Sequence, residues 1–507
     1  MTSIESPERA RAPIEREDWP LDNETPVLLP PPTDPMAVAR ELVKSAITHV
    51  QGLPIWTWWR GDFYQWAKTH WAILPEPTIE QWAYTATEDA LYQGVDRKGK
   101  PIAERWSPTT VKVRNLIHAL GRGVIQRDHS LEAEDEPNAI ACANGVLTIG
   151  QDRLGIHTPA RFNLFALPFA YDAQAVCPRW LLFLSEVLPG EDEQDAVLFI
   201  QEWFGYVVSG RTDLHKIASF IGDKRCGKGT IARVLVGLVG ANFVTGPQLG
   251  DLAGTFGKEP LIGKRLAVMG DVRWNSKSAT DAVPILLGIS GDDHGTVHRK
   301  NQKAWEGRLG VRFLLMSNDE PRFTDASGAM ASRMIHVDFQ QSFFGRENPG
   351  LTGELLSELP GILNWALEGL ARLNRNGRFT VPKSSARVDE HVQRTASPAK
   401  AFIEDKCVIE ADAKVSLGDL FVAWQEWCRH TGRPELMASE DMLSAQLRSA
   451  VRGSNPKVVT KRQMVRGVRT TWFFNLRLRT ALDDENADGE PVADTPGNQW
   501  LIGGGGW

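Results

Sequence analysis

The sequence lacks any apolar run approaching the roughly 18 to 20 residues that a membrane-spanning helix needs. Its first residues, among them Glu5, Glu8 and Arg9, also lack the basic-then-apolar order of a secretory signal peptide. We therefore expect a cytoplasmic protein that has no membrane partner.

Cysteine is scarce, with five residues in a chain of 507. The cysteines are far apart and form no CxxC pair or Cys/His cluster, which argues against a zinc site and against a disulfide framework. We expect all five to be buried thiols: Cys142, Cys177, Cys226, Cys407 and Cys428.

A net positive charge is also lacking, since the formal net charge is -6 at pH 7. The charge is distributed unevenly along the chain. Residues 1–35 carry eight acids against three arginines, and residues 481–507 carry six acids and no base, whereas residues 416–480 carry eleven Lys/Arg against five acids. The acidic ends mask a basic segment, so the net charge does not exclude nucleic-acid binding.

A chain of this length predicts roughly three domains plus tails. Residues 1–40 are Pro-rich and acidic and are predicted to be a disordered arm. Residues 481–507, which end in a glycine run and Trp507, are predicted to be a second, acidic tail.

Residues 41–208 are predicted to form a mainly helical domain. Their dense tryptophans favour a hydrophobic core over a base-stacking surface; they include Trp56, Trp58, Trp59, Trp66, Trp71 and Trp82. Ala139–Ile149 predicts a strand, a turn and a second strand. Pro178–Leu188 and Glu191–Val208 predict two helices.

The strongest motif is a glycine-rich loop between an apolar run of strand length, Lys216–Ile221, and a segment with helical core spacing. Glycines allow backbone N–H groups to surround phosphates, and the following helix N-terminus adds partial positive charge. The spacing GxxxxGK predicts ATP binding, with Lys228 reaching the β and γ phosphates. The loop consists of Gly222, Asp223, Lys224, Arg225, Cys226, Gly227, Lys228, Gly229 and Thr230.

One position departs from the usual motif. The residue after the lysine is usually Ser or Thr and binds Mg²⁺, but here it is Gly229, and the hydroxyl comes one residue later at Thr230. We expect Thr230 to bind Mg²⁺, either directly or through water.

Three further positions complete a candidate ATPase site. Asp271 follows the apolar run Leu266–Met269, where a carboxylate can hold Mg²⁺. Asn318 follows the run Val311–Met316, where an amide can orient water or sense the γ-phosphate; a simple turn explains this segment equally well. Arg333 precedes another apolar run and is a candidate for a finger that enters a neighbouring subunit's site.

These segments resemble, in order and spacing, the superfamily 3 helicases. The motifs concerned are Gly222–Thr230, LAVMGD, ISGDD leading to Arg299 and Lys300, FLLMSNDEPRF and SGAMASRMI. The likeness is to the phage and plasmid primase-helicase branch that is shared with poxvirus and satellite-phage replication proteins. It extends upstream through NGVLTI and CPRW, so it covers about Trp56 to Leu478.

The resemblance implies an α/β fold with an AAA+-like P-loop ATPase core at residues 209–385, assembled as a homo-hexamer in a bacterial host cell. ATP would lie at subunit interfaces and drive 3' to 5' movement on single-stranded and forked DNA. It assigns Lys228 to phosphate, Asp271 to Mg²⁺, Asn318 to sensing and Arg333 to the trans finger. The family's Asp often has an acidic neighbour, whereas Gly270 precedes Asp271 here. We infer no primase activity in this chain and expect a separate primase or polymerase partner.

Two segments are candidates for DNA contact. The basic stretch His294–Trp305 matches the family's pore hairpin, and Arg299, Lys300 and Lys303 would grip phosphates without reading sequence; the alternative is a solvated basic loop.

Residues 386–480 predict a winged-helix-like module. Leu417–His430 and Ser439–Val451 have helical spacing, and basic Lys457–Arg469 precedes the apolar run TWFF. The sequence does not distinguish whether this module binds origin DNA or a replisome partner.

Two other functions remain open on the sequence. A nucleotide phosphotransferase also carries a GKGT loop, but Asn318, Arg333 and the basic hairpin argue against it. An ATP-dependent origin-binding or loading factor would use ATP for assembly without unwinding DNA.

Overall fold

The computed structural model describes residues 27–48, 52–125, 139–151, 153–190, 193–274, 277–321, 329–388, 398–431, 439–465, 468–480 and 483. The described residues divide into two compact units. One comprises those of 1–320 and 332–388, and the other those of 321–331 and 389–507. Within the described ranges, no helix is long and apolar enough to cross a membrane.

The first part of the larger unit builds its own hydrophobic core from helices and short strands, with buried side chains from Leu29 to Ile125. Its helices are α1 (Pro35–Ala46), α2 (Glu76–Glu88) and α3 (Thr110–Ala119). Its strands form an antiparallel sheet of β1 (Trp56–Trp59), β2 (Asp62–Trp66) and β3 (Trp71–Leu74), and a hairpin of β4 (Leu91–Val95) and β5 (Pro101–Arg105).

The prediction of a disordered arm over residues 1–40 is wrong for its described part. Leu29 is only 3% exposed, and α1 begins at Pro35 with Val38 and Ala39 fully buried. The side chain of Asp34 caps this helix by accepting a hydrogen bond from the Ala37 N–H at 3.0 Å. The proline-rich composition led us to expect disorder. Burial of the apolar face of α1 offsets the entropy that is lost when this segment becomes ordered. Residues 1–26 lie outside the described residues.

The described residues of 41–208 contain eight short strands beside the five α-helices that lie in or reach into this range, so the prediction of a mainly helical domain missed its β-structure. The tryptophan-rich segment forms a β-hairpin: Arg60 and Gly61, both with positive φ, connect β1 to β2 in the two-residue turn that suits hairpins. Its assignment to the core is confirmed, since Trp56, Trp59, Trp66, Trp71 and Trp82 are buried and Trp58 is half-buried.

The remaining elements before the central sheet agree with the sequence predictions. Strands β6 (Ala139–Cys142), β7 (Gly145–Thr148) and β8 (Arg153–Gly155) form an antiparallel sheet. Helices α4 (Pro178–Val187) and α5 (Gln194–Ser209) follow. The predicted strand, turn and strand and both predicted helices are thereby confirmed.

The centre of the larger unit is a five-stranded parallel sheet with the order β10-β11-β14-β9-β15. Every position of β9 is buried, as expected for a parallel strand covered on both faces. The strands are β9 (Ile217–Gly222), β10 (Val244–Thr245), β11 (Leu266–Met269), β14 (Arg312–Ser317) and β15 (Met334–Phe339), and β12 (His294–Val297) pairs with β13 (Trp305–Arg308) in a separate hairpin. The helices are α6 (Lys228–Val239), α7 (Lys277–Ser290), α9 (Leu351–Ser357) and α10 (Leu359–Asn376), and the short α8 (Ala329–Arg333) precedes β15 with its first three residues assigned to the second unit.

The predicted domain boundary at residue 208 does not separate two cores. One hydrophobic cluster runs from Ile140 to Phe379 and includes side chains of α4, α5, the sheet and α10. Helix α5 is buried around its whole circumference, because it packs against α10 on one side and α6 on another. The β6–β8 sheet and its two following helices therefore belong with the parallel sheet.

A buried carboxylate holds α5 to the segment after α10. Glu202 is fully buried on α5 and accepts hydrogen bonds from Arg372 Nε at 2.7 Å and from the Thr380 N–H and Oγ1 at 2.7 and 2.9 Å. A buried charge is tolerated only when paired and hydrogen-bonded, and this network meets that requirement.

The second unit has its own core, which includes Phe402, Leu420, Trp424, Leu443 and Phe473. Both predicted helices and the following hairpin are confirmed. The elements are α11 (Pro398–Lys406), β16 (Cys407–Val408), β17 (Lys414–Ser416), α12 (Leu417–His430), α13 (Glu440–Ala450), β18 (Val459–Val465), β19 (Val468–Phe474) and β20 (Arg477–Leu478). Strands β17, β19 and β18 form an antiparallel sheet with β19 in the middle. Apart from Asp483, residues 481–507, the predicted acidic tail, lie outside the described residues.

All five cysteines are buried free thiols, as predicted. Burial raises the pKa of Cys142 and Cys407 to about 12, and burial together with the carboxylate of Glu358 raises the pKa of Cys177 to about 11. These thiols remain protonated at neutral pH, so they are poor nucleophiles.

Candidate functional site

The glycine-rich loop leaves the carboxyl end of β9 and leads directly into α6. Gly222 and Gly227 have φ values of 147° and 101°, which disfavour any other residue. A Cβ atom at Gly222 would lie 2.4 Å from the Phe339 carbonyl oxygen, and one at Gly227 would lie 2.8 Å from Val187 Cγ1. The loop is therefore closed tightly against its neighbours and depends on both glycines.

The side chain of Lys228 turns back into this loop. Its Nζ donates to the Gly222 and Asp223 carbonyl oxygens, the latter at 3.0 Å, and lies 3.4 Å from Cys226 Sγ. It also lies 3.5 Å from Asn318 Oδ1, on another strand end. The ammonium group is half-buried and is held by neutral oxygens, which an anion can replace.

The segment after β15 supports the loop from outside. The Phe343 N–H donates to the Arg225 carbonyl oxygen at 2.9 Å, and Ser342 Oγ donates to the Lys224 carbonyl oxygen at 3.3 Å. The Arg225 guanidinium lies 3.4 Å from Glu347 Oε1. These contacts fix the outer half of the loop while its inner half encloses Lys228.

The register of the parallel sheet places three predicted site residues at one edge. Ile221 of β9 is level with Ser317 of β14, so Asn318 lies beside the start of the loop. Met269 of β11 is level with Leu315, and the Val272 N–H donates to the Met316 carbonyl oxygen at 2.9 Å. Asp271 therefore lies at the same edge as Asn318, one strand, or about 5 Å, further across.

Asp271 is exposed and has a φ of 52°, in the left-handed region. Its carboxylate lies 3.4 Å from the Arg273 guanidinium, and both side chains are mostly exposed. Such a pair is weak in water and can give way to a stronger cation.

Thr230, in the first turn of α6, has a partner that the sequence analysis missed. Its Oγ1 accepts a hydrogen bond from the Arg233 guanidinium at 3.0 Å. The signal was present in the sequence, because residues three apart on a helix lie on one face. A Cβ atom at Gly229 would lie 3.4 Å from Nη1 of the same arginine, so Arg233 neighbours both positions that could carry the hydroxyl.

Arg333 lies at the opposite edge of the sheet. Strand β15 begins at Met334, level with Ile217, and ends at Phe339, level with Gly222. At about 3.3 Å per residue, the six steps from Arg333 to Phe339 separate Arg333 from the loop by about 20 Å. The Arg333 guanidinium donates to the Leu287 carbonyl oxygen and to Ser290 Oγ, both at 3.3 Å, at the C-terminal end of α7.

The basic hairpin β12–β13 is anchored to the tryptophan-rich sheet. The Arg299 guanidinium forms two hydrogen bonds with the Asp62 carboxylate on β2, at 2.8 and 3.0 Å, and both side chains are about 15% exposed. The structure thus gives Arg299 a contact that differs from the predicted phosphate grip. Lys300 and Lys303 are exposed in the connecting turn.

No group of three or more metal-ligating side chains occurs in the described part of the chain.

Two family models match parts of the chain. Residues 220–333 match a model described as a family of unknown function (DUF5906), and residues 38–189 match one described as "D5 N terminal like". The first begins in β9 and ends at Arg333, so it contains every predicted site residue.

Solved structures of one protein also resemble this chain. "The apo structure of NrS-1 C terminal region (305-718)" has a TM-score of 0.48 at 13% identity and covers 87% of this chain and 99% of that chain. "The A form apo structure of NrS-1 C terminal region-CTR(305-718)" has the same TM-score and coverages at 11% identity. At these TM-scores the likeness assigns no function.

Proposed function

We propose that this chain is an ATP-driven DNA helicase of phage or plasmid replication, of the superfamily 3 type and active as a ring. The observation that carries the proposal is the approach of Lys228 Nζ to Asn318 Oδ1, 3.5 Å, at the sheet edge where Asp271 also lies. Ligands of open parallel sheets bind at the carboxyl ends of the strands. The match of residues 38–189 to the "D5 N terminal like" model supports the resemblance of the segment before the ATPase core to the same segment of the phage and plasmid primase-helicases.

The strand order supports the ATPase part of the proposal. Strand β14 lies between β9 and β11, so the amide of Asn318 stands between the loop and the carboxylate of Asp271. A nucleotide at the N-terminus of α6 would place its terminal phosphate beside that amide. Asn318 is then positioned to orient the attacking water, and Asp271 to bind Mg²⁺.

The residues present fit ATP and Mg²⁺. Lys228 would exchange the carbonyl oxygens of Gly222 and Asp223 for phosphate oxygens, which bind an ammonium more strongly because they are charged. Thr230 and Asp271 would hold Mg²⁺. When bound, that ion neutralises the charge that develops on the phosphates.

Thr230 carries the first prediction. If its hydroxyl takes the place of the missing one at position 229, Thr230→Ala lowers Mg²⁺-dependent ATP hydrolysis by roughly 10- to 100-fold, the range for removing a group that supports a bound metal. Steady-state hydrolysis measured over a Mg²⁺ titration should show a raised Mg²⁺ requirement.

The chain offers a matched rescue of this variant. A side chain at Gly229 meets only the flexible end of Arg233 at 3.4 Å, so Gly229→Ser fits and restores a hydroxyl at the usual position. The double variant Gly229→Ser/Thr230→Ala should recover most of the lost activity. Near-normal hydrolysis by Thr230→Ala alone would show that Thr230 does not hold the metal ion.

The exposed lysines of the hairpin carry the second prediction. Replacing both Lys300 and Lys303 by alanine should weaken binding of single-stranded DNA equally across sequences. The slope of log affinity against log salt should fall by roughly 0.7 for each lost phosphate contact. Fluorescence anisotropy with oligonucleotides of several sequences at four salt concentrations measures both effects.

Arg299→Ala is the matched control, since it removes one positive charge from the same hairpin. Because Arg299 is paired with Asp62, its loss should leave the salt slope unchanged and lower the melting temperature, as expected when one partner of a buried ion pair is removed. A sequence-specific loss in the lysine variant would make the hairpin a reader of bases. A reduced salt slope in Arg299→Ala would show that Arg299 does contact a DNA phosphate.

Strand displacement on a forked DNA substrate tests the proposed function itself. Unwinding that requires ATP, together with hydrolysis that is stimulated by single-stranded DNA, is the expected result. DNA-stimulated hydrolysis without displacement would favour an ATP-dependent loading factor. Phosphoryl transfer to a nucleotide without DNA stimulation would favour a phosphotransferase.

A further inference from the structure

Two aromatic rings lie on the face of the β17-β19-β18 sheet that points away from the core of the second unit. The register places Trp472 and Phe474 on the side of β19 opposite to Phe473, which is fully buried. Both rings are half-buried, and neither belongs to the hydrophobic cluster of this unit. Packing of that cluster therefore does not account for the two rings, although Trp472 Nε1 itself is buried.

Lysines flank both rings on the same face. Lys461 is level with Trp472, and Lys414 is level with Phe474. Each ammonium reaches diagonally to the other ring: Lys414 Nζ lies 5.4 Å from the Trp472 centroid and Lys461 Nζ lies 5.5 Å from the Phe474 centroid. None of the described positions on this face carries an acid, and Ser416, Thr470, Val459 and Gln463 complete it.

We propose that this face, which we call the aromatic face, binds single-stranded nucleic acid by stacking unpaired bases on Trp472 and Phe474 while Lys414 and Lys461 pair with phosphates. Aromatic side chains on an open sheet surface hold unpaired bases in this way. The two rings are two residues apart on one strand, so their centres are spaced by about 7 Å. That spacing allows one base on each ring.

Charge complementarity selects a polyanion as the occupant. Residues 416–480 carry eleven Lys/Arg against five acids, although the whole chain is acidic. A duplex hides the faces of its bases, so only an unpaired strand can use the rings and the lysines together.

The lysines do not block the rings. An exposed cation–π contact is weaker than the stacking of a base on an aromatic ring, and the lysine stem is flexible. The bases of a bound strand can therefore displace the lysines from the ring faces, and each ammonium can then pair with a neighbouring phosphate. The inference does not depend on ATP hydrolysis or on the proposed motor function.

The test uses the full chain carrying Lys300→Ala and Lys303→Ala, so that the hairpin does not contribute, and contains no ATP. The probe is a labelled oligodeoxythymidine of about twelve nucleotides, within the range of single-strand site sizes. Trp472→Leu should bind it about tenfold more weakly, whereas Trp472→Phe should stay within about twofold. Met464→Ala is the matched control, because Met464 is an exposed apolar residue on the opposite face of the same hairpin.

Lys414→Gln/Lys461→Gln is a second variant that spares the core, since both side chains are exposed. It should reduce the salt slope by about 0.7 per lysine. Unchanged affinity in Trp472→Leu together with an unchanged slope in the lysine variant would overturn the inference, as would equal binding of a duplex of the same length. An oligouridine arm separates the two sources of the ligand: tighter binding of the DNA probe identifies DNA, and tighter binding of the RNA probe identifies RNA.

Discussion

Lys228→Ala should lower ATP turnover by roughly 10²- to 10³-fold, the range for removing one electrostatic group that stabilises a transition state. The Nζ of this lysine contacts oxygens of its own loop, Cys226 Sγ and Asn318 Oδ1. Because the side chain is half-buried, water can satisfy the carbonyl oxygens that it leaves. The variant should therefore keep the melting temperature and circular dichroism spectrum of the parent chain.

The control for this variant is Lys98→Ala, which removes an exposed lysine from the turn between β4 and β5. It should hydrolyse ATP and unwind forked DNA at the parental rate. If Lys228→Ala folds and hydrolyses ATP at the parental rate, the glycine-rich loop does not bind the nucleotide. Loss of activity in both Lys228→Ala and Lys98→Ala would indicate an effect of net charge.

The sequence predicts the geometry of the candidate site well because that edge of the sheet is built from local signals. A buried strand, a glycine loop and an amphipathic helix are contiguous around Lys228, and each element forms where its spacing predicts. Strand ends in a parallel sheet share one edge, so Asn318 and Asp271 follow once their strands are recognised. The order of the strands is a tertiary property that no single motif contains.

Contacts between distant segments explain what the sequence did not predict. Arg299 and Asp62 are 237 positions apart, and nothing near either residue indicates that they pair. The short strands around Trp59 and Trp66 are half-buried in a small sheet whose aromatic content hides the alternation of inward and outward side chains. The predicted boundary at residue 208 does not separate two cores because α5, buried over most of its length, packs in the same hydrophobic cluster as the parallel sheet that follows it.

Arg333 carries the last prediction, and the sheet determines which site it can serve. It precedes β15 at the amino edge of the sheet, about 20 Å from the glycine-rich loop at the carboxyl edge of β9. An arginine side chain cannot span that distance, so Arg333 cannot reach a nucleotide bound by its own loop. In a ring, the same edge can face the loop of the next subunit.

The contacts of Arg333 are compatible with such a role. Its guanidinium donates at 3.3 Å to two neutral oxygens at the C-terminal end of α7, from Leu287 and Ser290. A phosphate is a stronger acceptor for a guanidinium than either oxygen. The Arg333 guanidinium can therefore leave these two oxygens of α7 and bind the phosphates of a neighbouring subunit's nucleotide.

We expect Arg333→Ala to fold and bind ATP but to hydrolyse it roughly 10³- to 10⁵-fold more slowly, as for loss of an arginine finger. Arg375→Ala, which removes an exposed arginine at the end of α10, is the control and should keep parental turnover. Mixing Arg333→Ala with Lys228→Ala should restore part of the turnover, because some interfaces then combine an intact Lys228 with an intact Arg333. A linked dimer fixes the arrangement of the substitutions in the ring. With the two substitutions in different subunits of the dimer, a finger that acts in trans leaves every second interface intact, whereas with both substitutions in one subunit every interface carries one defect. Higher turnover of the first linked dimer is the expected result, and higher turnover of the second, with rings formed and ATP bound, would show that Arg333 acts on the nucleotide of its own subunit.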